Sequence, residues 1–273
     1  MQVEFDEELT RRVKEESRKQ ALTTYMLLMG VVGVLLTRYS RSREVVIGSP
    51  IANRVVAEVE GLIGFFVNTL ALRLRVDEEE TVEELLRRVR EEVLGAYAHQ
   101  DVPYEKVVER VQVERGREAG GLFQVMVAMQ NAPTYVLDLP DLTLTSQETY
   151  NRKAKFDLLF LFYEEGPQIK GSVTYNSDLF DDDTIHLLVA RFMNLLKSAV
   201  GNMQQPVSSL SMLGEEETGG VTVEDFPEVG LDQQDLENLI LELREEPVNG
   251  LKSHLALPQK SKIVLGPGQY RPR

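Results

Sequence analysis

His99, Gln100 and Asp101 stand together in a chain of 273 residues that has only two other histidines, His186 and His254, and no cysteine. An imidazole beside a carboxylate is the basic unit of general acid–base chemistry, because the carboxylate can orient one ring nitrogen while the other exchanges a proton. Adjacent residues at a helix end point in different directions, however. His99 therefore reads either as a base or as a cap on the helix before it, where a cation suits the C-terminal dipole. No two histidines have the i, i+4 spacing of helical metal ligands. The lack of cysteine excludes disulfides, thiolate metal sites and cysteine nucleophiles, and fits a reducing cytoplasm.

Three further positions could carry binding chemistry. Asn68 interrupts an otherwise apolar stretch, and a buried amide needs partners, so it either ties its strand to a neighbouring loop or faces a ligand. Arg54 follows Pro50 in a turn, where a guanidinium can grip a phosphate or a carboxylate with two hydrogen bonds, or remain a solvated loop charge. Asp178, followed by Leu179 and Phe180, reads as a helix cap with a hydrophobic anchor, or as a substrate contact.

The elements that must position these residues follow from periodicity. Asp6 to Arg38 reads as helix, amphipathic at first and then almost wholly apolar. Its apolar part, Met26 to Leu36, is shorter than the roughly 20 residues that span a bilayer, and nothing at the N-terminus resembles an export signal. Val45–Gly48 is a short strand ended by Ser49 and Pro50, and Phe65–Arg75 is a strand whose Leu70, Leu72 and Leu74 mark one buried face. Thr81 with Glu84 forms a capping box before the helical pattern Val82, Leu85, Leu86, Val89, Val93 and Tyr97. Pro103 opens a short helix to Arg110. Strands follow over Leu122–Gln130, Phe156–Tyr163 and Ile169–Tyr175, and a helix over Ile185–Val200 starts at the acidic cluster Asp181–Asp183. The fold class is α/β. The formal net charge of −14 is spread along the chain and repels a phosphate backbone, so nucleic acid is excluded as a partner.

Five of these segments, in order and spacing, resemble the later core motifs of nonribosomal peptide synthetase condensation domains. They are GLIGFFVNTL at Gly61–Leu70, AYAHQDVPYEKVVE at Ala96–Glu109, LFQVMVAMQNAP at Leu122–Pro133, KFDLLF at Lys155–Phe160 and YNSDLFD at Tyr175–Asp181. LLTRYSRSREVVIGSPIANR and PVSSLSML fit the same family. Before LFQ the family usually has Arg, Asp, Ser and Pro, whereas this chain has Arg115, Gly116, Glu118 and Gly121.

The resemblance implies a chloramphenicol acetyltransferase-like lobe, with a mixed sheet flanked by helices, over residues 1–213. It implies amide-bond formation between aminoacyl and peptidyl thioesters carried on the phosphopantetheine of carrier proteins, with no cofactor bound by the chain itself. Arg54 would be a carrier or pantetheine contact, and Asn68, His99, Gln100, Asp101 and Asp178 would be tunnel-facing or structural motif residues. The family's catalytic histidine belongs to an HHxxxDG motif on the first lobe, and no adjacent histidines occur here. The expectation is therefore a second lobe alone, without catalytic or metal-binding residues and inactive by itself. The alternative is a module that binds carrier proteins or a separate N-terminal lobe. A lobe without its mate is expected to expose an apolar face.

From Gly214 the composition changes. Residues 214–246 read as a linker with a short helix, Leu231–Arg244, and 247–273 as a poorly structured tail rich in Gly, Pro, Lys and Arg. Val223–Ile240 resembles the linker that follows epimerisation-type domains of the same synthetases, which implies either a recombined junction or a natural terminal linker.

Overall fold

Asp6 accepts a hydrogen bond from the Leu9 amide at 2.7 Å and so caps α1 (Glu7–Lys19). Acidic residues fill the first turn of this helix and basic residues the last, each matched to the helix dipole. The computed structural model describes residues 1–54, 56–111, 121–130, 154–219, 222 and 232–243. The single helix expected from Asp6 to Arg38 is two. Ala21 takes a left-handed φ of 53°, Thr23 caps a new helix, α2 (Thr24–Ser40), and the path bends by 104°. The change from amphipathic to apolar pattern that reads as one helix entering the core is the junction between a surface helix and a core helix.

α2 is buried nearly all round, as its uniform apolarity requires. A Cβ on Gly30 would lie 2.5 Å from Leu86 Cδ2, so a larger residue there would have to displace that buried side chain of the helix α4 (Val82–Tyr97). The capping box that starts α4 is formed in both directions, from Glu84 N to Thr81 Oγ1 at 3.2 Å and from Thr81 N to Glu84 Oε2 at 2.9 Å. No single helix among the described residues is long and apolar enough to cross a membrane.

Among the described residues the sheet has six strands: β1 (Gln2–Glu4), β2 (Glu44–Ile51), β3 (Asn68–Arg75), β4 (Val125–Gln130), β5 (Leu158–Glu165) and β6 (Gln168–Tyr175). Their order is β1-β6-β5-β4-β2-β3, with β4 parallel to both neighbours and every other pairing antiparallel. This is the expected mixed sheet flanked by helices. Alternate positions, among them Ile47, Leu72, Val127, Phe160 and Val173, are buried in one core with α1, α2, α4 and α6 (Asp182–Gly201). The intervening Ala71, Ala128, Leu159 and Leu161 are half-buried. β2 runs on through Ser49 and Pro50 instead of ending there. Among the described residues β4 pairs with β2 at Ile47 and Gly48 alone, so beyond them that flank of β2 has no described strand partner and a residue without an N–H is tolerated.

The remaining helices are short: α3 (Ala57–Glu60), α5 (Tyr104–Val111), α7 (Glu215–Thr218) and α8 (Gln233–Leu243). The cap of α6 is Asp181, whose carboxylate accepts from Thr184 N at 2.7 Å. Asp178, read as the cap, lies three residues too early. It is exposed in the turn, with its amide donating to Asn176 Oδ1. The expected tail, 247–273, lies outside the described residues.

Candidate functional site

Four of the candidate residues, Asn68, His99, Gln100 and Asp101, converge where β2 leaves the sheet and β3 enters it. The register pairs Ile51 with Asn68, which puts Asn68 at the first rung of the strand, facing the turn after α4. Its side-chain nitrogen donates to the carbonyls of Gln100 (2.7 Å) and Val102 (2.8 Å). Its oxygen accepts from the amides of Thr69 (2.8 Å) and Tyr104 (3.3 Å). One amide thereby joins the start of β3, the 98–103 turn and the start of α5. His99 and Asp101 are exposed in that turn. α4 ends at Tyr97, with the Ala98 and His99 amides closing its last turn on the carbonyls of Leu94 and Ala96. The His99 contribution to that end is its backbone N–H.

α5 then carries Tyr104 across to the entry of β4, where its hydroxyl accepts from Leu122 N at 2.8 Å. The Tyr104 ring packs on Phe123 with centroids 5.5 Å apart, and Phe123 packs on Phe156 at 5.7 Å. Phe123 also covers Gly48, where an added Cβ would fall 2.1 Å from the ring. The glycine is required there because the aromatic ring lies directly on the strand backbone. Sequence periodicity missed this aromatic group, since its members come from three separate segments. The bare glycine in an apolar strand was the available signal.

Arg54 is half-buried and packs against its own loop. Its guanidinium lies over the Phe66 ring at 4.3 Å, and Nη1 donates to the carbonyls of Val59 and Glu60. It folds the loop after β2 back on itself. That loop displays Val56, Leu62, Ile63, Phe65 and Val67, with Ile63 fully exposed and Phe65 93% exposed. Asp178 belongs to another place, because β6 leaves the sheet at the end where β2 enters it. His186 is exposed on α6, its Nδ1 2.7 Å from the Asp182 carbonyl oxygen, and His254 lies outside the described residues. Residues 112–120, which include the departures Arg115, Gly116 and Glu118, also lie outside them.

Chemically, this locus offers a hydrogen-bonded amide, an aromatic cluster and an apolar loop. Among the described residues the His99 ring has no hydrogen-bonding partner, and no group of three or more His, Asp or Glu side chains converges as metal ligands would. Such a surface can shape a wall or receive a partner.

A family model described as "Condensation domain" matches residues 1–221. Malpibaldin synthetase of Mortierella alpina is 40% identical over 215 residues, 79% of this chain and 4% of the relative. Tyrocidine synthase 3 of Brevibacillus parabrevis is 32% identical over 226 residues, 81% of this chain and 4% of the relative. The chain thus spans a small fraction of the length of the curated relatives it matches. Among solved structures, a four-domain nonribosomal peptide synthetase bound to AMP and glycine superposes with a TM-score of 0.74 at 20% identity, covering 80% of this chain and 18% of that one. The X-domain from teicoplanin biosynthesis superposes with a TM-score of 0.71 at 25% identity, covering 78% of this chain and 49% of that one.

Proposed function

Because the chain belongs to the condensation-domain family, we propose that it is one lobe of an enzyme that joins carrier-bound aminoacyl and peptidyl thioesters through an amide bond, and that it does not complete the reaction alone. In that reaction an amine nitrogen attacks a thioester carbonyl. The C–N bond forms, the C–S bond breaks, and the amine proton ends on the departing thiol. The attack needs an oriented acid–base or charge-stabilising group and an enclosed passage for two phosphopantetheine arms.

The observation that carries the reading is coverage: 78% of this chain superposes on 49% of the X-domain. The residues agree with it, since His99 and His186 are both exposed and the Asn68 amide is engaged with the main chain of Thr69, Gln100, Val102 and Tyr104. On this reading the lobe is 1–213, followed by a linker at 214–246 and a tail at 247–273. Asn68 and Gln100 shape the wall, His99 and Asp101 border it, and Asp178 serves its turn. Arg54 supports the apolar loop in place of a carrier phosphate. The partners are carrier proteins, the chain holds no cofactor of its own, and the work takes place in the cytoplasm.

A second reading, a binding module that completes a split enzyme, is favoured by the loop from Val56 to Val67. Five large apolar side chains on one loop are an unusual surface for a monomer to leave uncovered. Sedimentation of the chain with a separately produced N-terminal lobe bearing HHxxxDG tests the docking. The expected result is a complex that is lost on Phe65→Asp. A chain that stays monomeric beside that lobe and binds no hydrophobic dye overturns the docking.

A further inference from the structure

Two nearly fully buried arginines of the core helices each pair with a carboxylate from the segment that follows residue 213. Arg191 on α6, with a side chain 2% exposed, donates from Nε (2.9 Å) and Nη2 (2.7 Å) to Glu217 Oε1 on α7. Its Nη1 donates to the Tyr39 hydroxyl. Arg38 on α2, 4% exposed, donates to the carbonyls of Leu210 (2.7 Å) and Val207 (3.0 Å) and pairs with Glu237 Oε2 on α8 at 3.0 Å.

The second carboxylate oxygen of Glu237 accepts the amides of Met212 (2.6 Å) and Leu213 (3.0 Å), so it also satisfies the backbone where the lobe ends. Leu236 beside it is buried. Burial lowers the Arg38 pKa, and Glu237 is the first of the charges that oppose this. An ion left unpaired in such a place is strongly destabilising.

We infer that α8 is a strap clasped onto the lobe through Glu237, with Glu217 as a separate clasp for α7, so that the chain is held to the lobe through α8. Undocking the strap would remove the Glu237 carboxylate from the buried Arg38 and from the Met212 and Leu213 amides together. The docked strap also lines an open pocket of about 330 Å³, in which Gln234 and Asn238 of α8 share the walls with Thr37, Arg38 and Arg43.

Hydrogen exchange on the full chain tests the inference. Glu237→Ala is expected to speed exchange of the α8 amides by at least about tenfold, while β5 and β6 keep their protection. Glu217→Ala is expected to leave α8 unchanged. Glu237→Gln keeps an acceptor for Met212 and Leu213 but loses the ion pair, so it is expected to fall between wild type and Glu237→Ala, and it serves if the alanine variant does not fold. The strap is overturned by any of three results: wild-type α8 exchanging like free peptide, an α8 indifferent to both Glu237 substitutions, or loss of protection that spreads through β5 and β6.

Discussion

Phe160 and Phe65 are the same side chain in opposite situations. Phe160 is 1% exposed, with ring centroids 6.5 Å from Phe162 and 6.1 Å from Phe192, at an inward position of a central strand. Phe65 is 93% exposed in a loop that Arg54 and Phe66 hold in shape from within. The core is self-sufficient because strand and helix periods direct its apolar residues to one interior. The loop has as apolar a sequence and no period, and the described residues do not cover it. Apolar character alone therefore separates nothing here; what separates the two regions is whether an element aims the side chain at this chain's own core.

The contrast is most easily broken by truncating both rings. Phe160→Ala is expected to destabilise the fold by about 3–5 kcal/mol, and Phe65→Ala by no more than about 0.5 kcal/mol, in urea titrations followed by circular dichroism. A comparable loss at Phe65 would mean that the loop belongs to the core. Asn68 lies on the border between the regions. Asn68→Ala removes four hydrogen bonds and is expected to cost about 1–3 kcal/mol, with faster hydrogen exchange at Tyr104 while the α2 amides stay protected.

Tyr25 sharpens the account of the core. Its hydroxyl donates to Ser49 Oγ at 2.6 Å, and burial raises its pKa above the usual tyrosine value against the opposing effect of that bond. A raised folded-state pKa stabilises fully below the unfolded value of about 10 and loses that contribution as pH climbs through the folded value. Stability should therefore fall above about pH 10. Tyr25→Phe is expected to lose about 1 kcal/mol at neutral pH and to flatten the alkaline decline, as urea titrations at several pH values would register.

What was legible in the sequence was local. The Thr81–Glu84 box joins residues three apart, and Leu70, Leu72 and Leu74 declare a strand face by themselves. The α/β class and the family followed from such segments. Features made by distant pairs were hidden: Arg38 and Glu237 are 199 positions apart, and Arg191 in an apolar helix gave no hint of Glu217. The helix break at Ala21 was masked because neither glycine nor proline marks it, and Asp178 competed with Asp181 for one cap that local spacing could not assign. At the site, an amide in an apolar strand marked Asn68 as needing partners. The contacts of Arg54 with the Phe66 ring and two carbonyls of its own loop were not readable from local spacing.

The central claim is that this lobe supplies a wall and a docking loop, and no catalytic group of its own. It is tested most directly by incubating the purified chain with donor- and acceptor-loaded carrier proteins and following amide formation by mass spectrometry. The account expects no product above the protein-free control. Product that disappears in a folded His99→Ala variant would contradict it.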